Sequence, residues 1–188
     1  LKAGRAAAVL NSVTVDSTGD PRYNNGGPKP YTLTVGKDKI ELSSKNLGPA
    51  DVALVATWLQ RPEVNAVVAD LNISDAIIGD ARATLVEAIS SSSTLNFITI
   101  GKGLRLPLKD NYDSDVLDAS KNGIEPGGVT VIAWWLTTSA AAAVAQLNLG
   151  GVNFGDVYAL LVMPSPTDPS WNCNMCGKPL TVRRHPQT

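Results

Sequence analysis

Residues 71–85, LNISDAIIGDARATL, and residues 147–161, LNLGGVNFGDVYALL, decide the fold because they are two copies of one pattern. A second pair lies upstream, where residues 40–59 match residues 117–136 and Trp58 aligns with Trp135. Repeated units leave an apolar face that only the neighbouring unit can cover. The repeats therefore predict a stacked architecture, and they favour a binding surface over catalytic chemistry.

The composition does not predict a basic surface for binding nucleic acid. The 188 residues carry a formal net charge of −1, and only 18% are charged. A nucleic-acid partner would require a basic patch, so none is expected. No apolar run reaches the roughly 18–20 residues that span a bilayer, and we expect no transmembrane segment. The chain opens on Leu1 and not on Met, so we expect a processed or partial product from which a targeting segment could be missing. The compartment is left open, with an intracellular location expected, or an organelle after removal of a targeting segment.

Three regions follow from the pattern of apolar and turn-forming residues. Residues 1–39 form an N-terminal cap and turn-rich segment, with strands predicted at SVTVD and YTLTV. Residues 40–163 hold the repeats, interrupted by an insert at residues 105–115 that is predicted to be a loop. Residues 164–188 form a Pro-rich tail. The second copy of the module therefore differs from the first by its insert.

Each repeat begins with a short alternating segment, continues through a turn and ends in a helix. Period two with one apolar face indicates a half-buried strand. Such strands are predicted to start at Ile40, Leu71, Leu95, Leu117 and Leu147. In the Leu95 segment the inward residues would be Leu95, Phe97 and Thr99. Apolar stripes at three- and four-residue spacing predict the helices: Val52, Val55, Ala56, Leu59 in one copy and Val129, Ile132, Ala133, Leu136 in the other.

A strand of pattern LxLxxN, a turn, a helix and a period near 30 residues resemble the leucine-rich-repeat family. The subtype is the ribonuclease-inhibitor-like one, and the resemblance covers about residues 33–163. Residues 117–124, LDASKNGI, match the motif best, whereas Lys45, Ala76 and Val152 replace its asparagine. The resemblance implies an α/β solenoid with parallel strands on a concave face and helices on a convex face. The rival interpretation is an ordinary α/β sheet protein.

In such a solenoid the residues between the core positions of each strand would face a partner. We predict partner contacts from Glu41, Asn72, Asp118 and Asn148. The face would be small, polar and mildly acidic, and it would lack an aromatic hot-spot residue. The alternative is a solvated sheet face that binds nothing.

Two further candidate partner-binding residues lie where the two copies of the module differ. Tyr112 belongs to the insert, and loops inserted into a repeat scaffold often carry recognition. Trp134 takes the place of Thr57 in the first copy, so it would lie beside the buried stripe as an interface candidate. Trp58 and Trp135 are predicted to be buried between units. Packing in the core is the competing role for Trp134.

The tail contains WNCNMCG at residues 171–177, and its two cysteines could hold zinc from one tight turn. The motif resembles the first half of a Ran-binding-protein type zinc finger. Cys173, Cys176 and His185 would supply three ligands, so the site would be truncated, completed by another chain or not metal-binding. No other cofactor is predicted.

Catalytic motifs are scarce. His185 is the only histidine, and the chain has neither GxGxxG nor GxxxxGK[ST]. We therefore predict a non-enzymatic scaffold or structural subunit that binds other protein chains in a hetero-oligomeric complex. The alternative is an adaptor whose zinc knuckle recognises a small protein or nucleic acid.

Overall fold

The computed structural model describes residues 10–19 and 27–152, which form a mixed α/β structure. None of the three sheets in these residues closes on itself. The strands are β1 Ser12–Asp16, β2 Pro30–Thr34, β3 Lys39–Glu41, β4 Asp70–Asn72, β5 Phe97–Ile100, β6 Leu104–Pro107, β7 Val116–Asp118 and β8 Gln146–Asn148. The helices are α1 Pro49–Leu59, α2 Pro62–Asn65, α3 Arg82–Ser91 and α4 Pro126–Trp135, with 3₁₀ turns at Gly79–Ala81 and Ser139–Ala141.

The N-terminal hairpin confirms the strands predicted at SVTVD and YTLTV. β1 and β2 pair antiparallel, with Val13 opposite Leu33. A buried carboxylate, Asp51 of α1, ties this hairpin to the first helix. It accepts hydrogen bonds from the hydroxyl of Tyr31 and from both the backbone N–H and the hydroxyl of Thr18. The hairpin thus covers the start of α1.

A four-stranded sheet follows in the order β3-β4-β5-β6. β3, β4 and β5 are parallel, and Ile40, Leu71 and Ile98 lie in register on its buried face. Leu95 of the predicted inward set is buried, but within β5 the set is shifted by one residue: Ile98 and Ile100 are fully buried on the core side, whereas Phe97 lies half-buried on the other face with Thr99. Each phase of this segment contains a large apolar residue, Phe97 in one and Ile98 in the other, so alternation over these few residues does not fix its orientation.

The predicted insert does not begin as a loop. Its first residues belong to β6, which pairs antiparallel with β5 and places Arg105 opposite Thr99. The physical reason is the alternation Leu104-Arg105-Leu106, in which both leucines are buried and the arginine is exposed. The irregular part of the insert is therefore confined to residues after Pro107.

The helices confirm the predicted apolar stripes. Every stripe residue of α1 and α4 is buried. Each helix starts with the proline predicted for a first turn, Pro49 in α1 and Pro126 in α4, where the missing N–H is not needed. α1 packs on α3, and α3 packs on α4. Trp58 and Trp135 are both buried, as the alignment of the copies predicts.

Backbone hydrogen bonds also connect the turns that follow successive strands. The N–H of Ile77 donates to the carbonyl of Leu47 at 2.9 Å. The N–H of Asp75 donates to the backbone carbonyl of Gly101, and the N–H of Lys102 donates to the backbone carbonyl of Asn122. This row bridges the four-stranded sheet and the two-stranded β7-β8 sheet, since Lys102 follows β5 and Asn122 follows β7.

Two predicted features lie outside the described residues: the last helical segment, at residues 153–163, and the tail at residues 164–188. None of the helices in the described part of the chain has the length and apolar character needed to cross a bilayer.

Candidate functional site

The solvent-facing side of the four-stranded sheet carries two rows of side chains in register. One row contains Glu41, Asn72, Thr99 and Arg105; the other contains Lys39, Asp70, Phe97 and Pro107. Phe97 contradicts the expectation that this face lacks an aromatic residue. The face is therefore polar along β3 and β4 and becomes aromatic and cationic towards β6.

The four predicted partner residues on the strands share one local geometry that was not among the predictions. The side-chain oxygen of each accepts the backbone N–H of the residue two positions later, at 2.9–3.2 Å. The pairs are Glu41 with Ser43, Asn72 with Ser74, Asp118 with Ser120 and Asn148 with Gly150. Such a bond closes a turn where a strand ends. The recurring acidic or amide residue followed at the second position by Ser or Gly was the signal that could have revealed it.

These bonds also shape the charges on the face. Burial alone would raise the pKa of Glu41, but hydrogen bonds from Ser43 and Lys39 outweigh it and lower the pKa to about 2. Hydrogen bonds from Ser120 lower the pKa of Asp118. The carboxylate of Glu41 in turn raises the pKa of Lys39, whose Nζ lies 2.9 Å from it. Glu41 and Asp118 thus stay ionised well below neutral pH.

An open cleft of about 410 Å³ lies where β5 and β6 meet the irregular part of the insert. Its lining combines two aromatic rings, a proline, an arginine and two carboxylates: Phe97, Arg105, Pro107, Asp110, Asn111, Tyr112 and Asp113. Open clefts that join apolar walls to a few charged groups are the usual form of a recognition site. This cleft is therefore a candidate recognition site.

Arg105 is fixed at one end of the cleft. Its guanidinium donates to the carboxylate of Asp70 at 2.9 Å. The same group lies 3.9 Å from the centre of the Phe97 ring, in a cation–π contact. The charge of Arg105 is therefore matched by Asp70, and its flat face covers Phe97.

The opposite wall is held by α4. The ring of Tyr112 meets the ring of Trp135 edge-on, with centroids 5.5 Å apart. The Trp135 indole N–H donates to the carbonyl of Pro107, and the Tyr112 N–H donates to the carbonyl of Ala140 at 2.8 Å. Burial and the charges of Asp113 and Asp118 raise the pKa of Tyr112. A core tryptophan thus supports both the strand and the loop that line the cleft.

The structure brings together only some of the predicted site residues. Tyr112 lines the cleft, and Asp118 lies close enough to influence its ionisation. Trp134 is half-buried against the core on α4 and is not among the cleft residues. Glu41, Asn72 and Asn148 lie on their strands outside the cleft lining. The contributions of Phe97 and Pro107 to the cleft are not predicted from the sequence.

The described residues contain no metal-binding cluster, since no three His, Cys, Asp or Glu side chains among them are grouped so that they could hold an ion. The predicted ligands Cys173, Cys176 and His185 lie outside these residues. No family model, curated protein or solved structure matches the chain. The chemistry of the cleft is therefore the basis for assigning a function.

Proposed function

We propose that the chain is a non-catalytic protein–protein interaction scaffold, or a structural subunit of a larger assembly, built as a short leucine-rich-repeat solenoid. The partner binds the strand face at the cleft formed by β5, β6 and the insert.

Four observations support the repeat architecture. The strands that follow the repeat spacing pair parallel, with Ile40, Leu71 and Ile98 in register in one sheet and Leu117 with Leu147 in the other. The turns after successive strands are joined by backbone hydrogen bonds. α1, α3 and α4 pack in sequence order, as expected if each unit covers the apolar face of the next. The asparagine of the best motif match, Asn122, donates to the carbonyl of Asp118 within its own turn.

The cleft is the observation that carries the proposed function. Interfaces between proteins are enriched in aromatic side chains and arginine and depleted in small polar ones. On a face that is otherwise small and polar, the cleft gathers Phe97, Tyr112 and Arg105. It also lies at the insert, the feature that distinguishes the second copy of the module from the first.

Site-specific photo-crosslinking in the native source tests this function. A photo-reactive residue at Asn111, which lines the cleft, should capture a discrete protein partner. The matched control is the same residue at Gln60, exposed at the end of α1. Arg105→Ala should reduce the yield at Asn111 because it removes the cover of Phe97. Equal products at both positions, or none at Asn111, would contradict the proposal.

The zinc-knuckle adaptor is the second candidate, and it rests on the cysteine motif at residues 171–177. Metal analysis of the purified chain separates the two. Zinc near one equivalent, lost on Cys173→Ser, would favour the adaptor, because a closed structural site retains its metal. Zinc below about a tenth of an equivalent would remove it, since a three-ligand half-site leaves the tetrahedral shell incomplete.

A further inference from the structure

The cleft contains one complete arrangement of an arginine with an aromatic ring and a carboxylate. Arg105 stacks on Phe97 and donates to Asp70, which joins a flat cation to a π face and to an acceptor. The chain uses a related arrangement elsewhere, where Arg61 lies 4.5 Å from the centre of the Trp58 ring and donates to Glu63. Guanidinium groups suit such sites because they are planar, weakly hydrated and rich in donors.

The other side of the same cleft has an aromatic ring and a carboxylate but no arginine. Tyr112 supplies a half-buried ring, and Asp113 supplies a carboxylate whose charge acts on that ring. Asp110 adds a second exposed carboxylate to the lining. Neither carboxylate forms an ion pair with another residue in the part of the chain that the structure describes. The cation of the arrangement is thus not provided from within the described chain.

The charge of the cleft follows from these partners. Arg105 is paired with Asp70, whereas Asp110 and Asp113 form no ion pair within the described residues, and Lys109 beside Asp110 donates to the carbonyl of Ser93 instead. Asp118 adds to the negative field at Tyr112. Such a field attracts cations and repels phosphates, so it favours a protein partner over nucleic acid. At about 410 Å³ the cleft lies towards the small end of ligand sites, which suits one side chain.

We propose that the cleft binds an arginine side chain of the protein partner, with the guanidinium stacked on Tyr112 and hydrogen-bonded to Asp113. This inference rests on the proposed function and names the chemistry that the partner presents. Arginine is preferred to lysine because the planar fork can contact the ring and the carboxylate together, whereas an ammonium acts as a point charge.

A titration of the ¹⁵N-labelled full chain with N-acetyl-arginine amide tests the inference directly. The indole N–H of Trp135 is the natural reporter because it is bonded to Pro107 in the cleft. We expect a saturable shift with a Kd in the millimolar range, as for one small ligand on an open site. N-acetyl-lysine amide should bind several-fold more weakly, and the uncharged citrulline analogue should cause no saturable shift.

Charge-removing variants give the matched comparison. Asp113→Asn should weaken arginine binding by roughly two- to fivefold, the range for an exposed ion pair, and added salt should reduce the difference. Asp80→Asn removes the same charge from a fully exposed position outside the cleft and should leave the Kd unchanged. Absence of saturation in the tens of millimolar, equal binding of citrulline, or no effect of Asp113→Asn would each overturn the inference.

The inference and the proposed function fail separately. A partner that crosslinks at Asn111 while the arginine probe neither binds nor competes would overturn only the arginine assignment. Saturable arginine binding without any crosslinked partner would instead overturn the proposed function and leave a cleft specific for guanidinium. Loss of the Asn111 crosslink on addition of the arginine probe, with no loss on addition of citrulline, would support both.

Discussion

The indole N–H of Trp135 donates a hydrogen bond to the backbone carbonyl of Pro107, 28 residues away in sequence. Trp58 is its equivalent in the first copy of the module and is also buried, but its indole N–H has no partner among the described residues. The tryptophan at this equivalent position is thus buried in both copies, but it forms an indole hydrogen bond only in the second. In the second copy the tryptophan anchors the strand and the loop that form the cleft.

This difference predicts unequal effects of the same substitution. Trp135→Phe should lower the free energy of unfolding by about 2–3 kcal/mol, because it empties buried volume and leaves the Pro107 carbonyl without its donor. Trp58→Phe removes a donor that has no partner, so its loss of unfolding free energy should be about 1 kcal/mol smaller than that of Trp135→Phe. Urea denaturation monitored by circular dichroism measures both. Equal losses would show that the bond to Pro107 contributes nothing to stability.

Two glycines at matching positions after strands β2 and β5 give a second matched pair. Gly36 and Gly101 both have positive φ, at 74° and 55°. A Cβ at Gly36 would meet nothing within 4 Å, whereas at Gly101 it would lie 2.3 Å from the carbonyl oxygen of Asn122. Of these two glycines, only Gly101 therefore lies where the turn after β5 approaches the turn after β7 in the next sheet.

Alanine substitutions at the two glycines should separate the cost of backbone strain from the cost of a steric clash with Asn122. Gly36→Ala should cost about 1 kcal/mol, which is the penalty of a left-handed conformation for a residue with a Cβ. Gly101→Ala should cost at least about 2 kcal/mol more, since the turn of residues 122–124 must also shift. Thermal and urea unfolding of both variants provide the measurement. If the two variants lost equal stability, the contact between the turns could not be tight.

Most strands and helices could be predicted from the sequence because their signals are local. The alternation at Ile40 and Leu117 and the stripes of α1 and α4 place apolar residues on one face whatever lies beyond them. The orientation of β5 could not be predicted in this way, since Phe97 and Ile98 are both apolar. It is resolved by contacts with the next strand and not by the pattern of β5 itself: β6 pairs with β5, and Arg105 covers the ring of Phe97.

The candidate site was predictable only in part for the same reason. Tyr112 could be named because it belongs to an insert that breaks the repeat. Its support by Trp135 depends on packing between segments far apart in sequence, which no local pattern encodes. The turn-closing role of Asp118 and its equivalents was encoded locally. It was overlooked because a polar residue on a strand was interpreted as a partner contact.

The helix starts show how the two copies solve one problem with different residues. In α1, Asp51 in the first turn accepts the N–H of Gly48, and in α4, Glu125 before the first turn accepts those of Gly127 and Gly128. Gly48 aligns with Glu125, and Asp51 aligns with Gly128. The carboxylate has therefore changed places with the glycine. Glu125 accepts two N–H groups of the first turn of α4, whereas Asp51 accepts the N–H of the residue that precedes α1.

Asp51→Asn should be strongly destabilising. Oδ2 of Asp51 accepts from Gly48 N–H and from both donors of Thr18, so an amide nitrogen cannot replace it, and Oδ1 accepts from Tyr31. We expect a loss of about 2–4 kcal/mol, because buried donors are left facing a donor or an uncharged acceptor. Urea unfolding tests this, with the exposed Asp38→Asn as the charge control. A loss no larger than that of the control would contradict the bonding of Asp51 described above.

Glu41 predicts a pH-dependent contribution to stability. Its pKa falls from 4.5 to about 2 on folding, so the unfolded chain binds the proton more tightly than the folded chain. The stabilisation from ionised Glu41 is therefore complete above about pH 4.5–5 and is lost as the pH falls towards 2. Because the side chain is 44% exposed, we expect at most about 1 kcal/mol at pH 7. Urea unfolding of the wild type and Glu41→Gln at pH 7, 4 and 2.5 tests this. Their difference in unfolding free energy should shrink steadily over this series, and a constant difference would show that hydrogen bonds from Ser43 and Lys39 do not favour the ionised form.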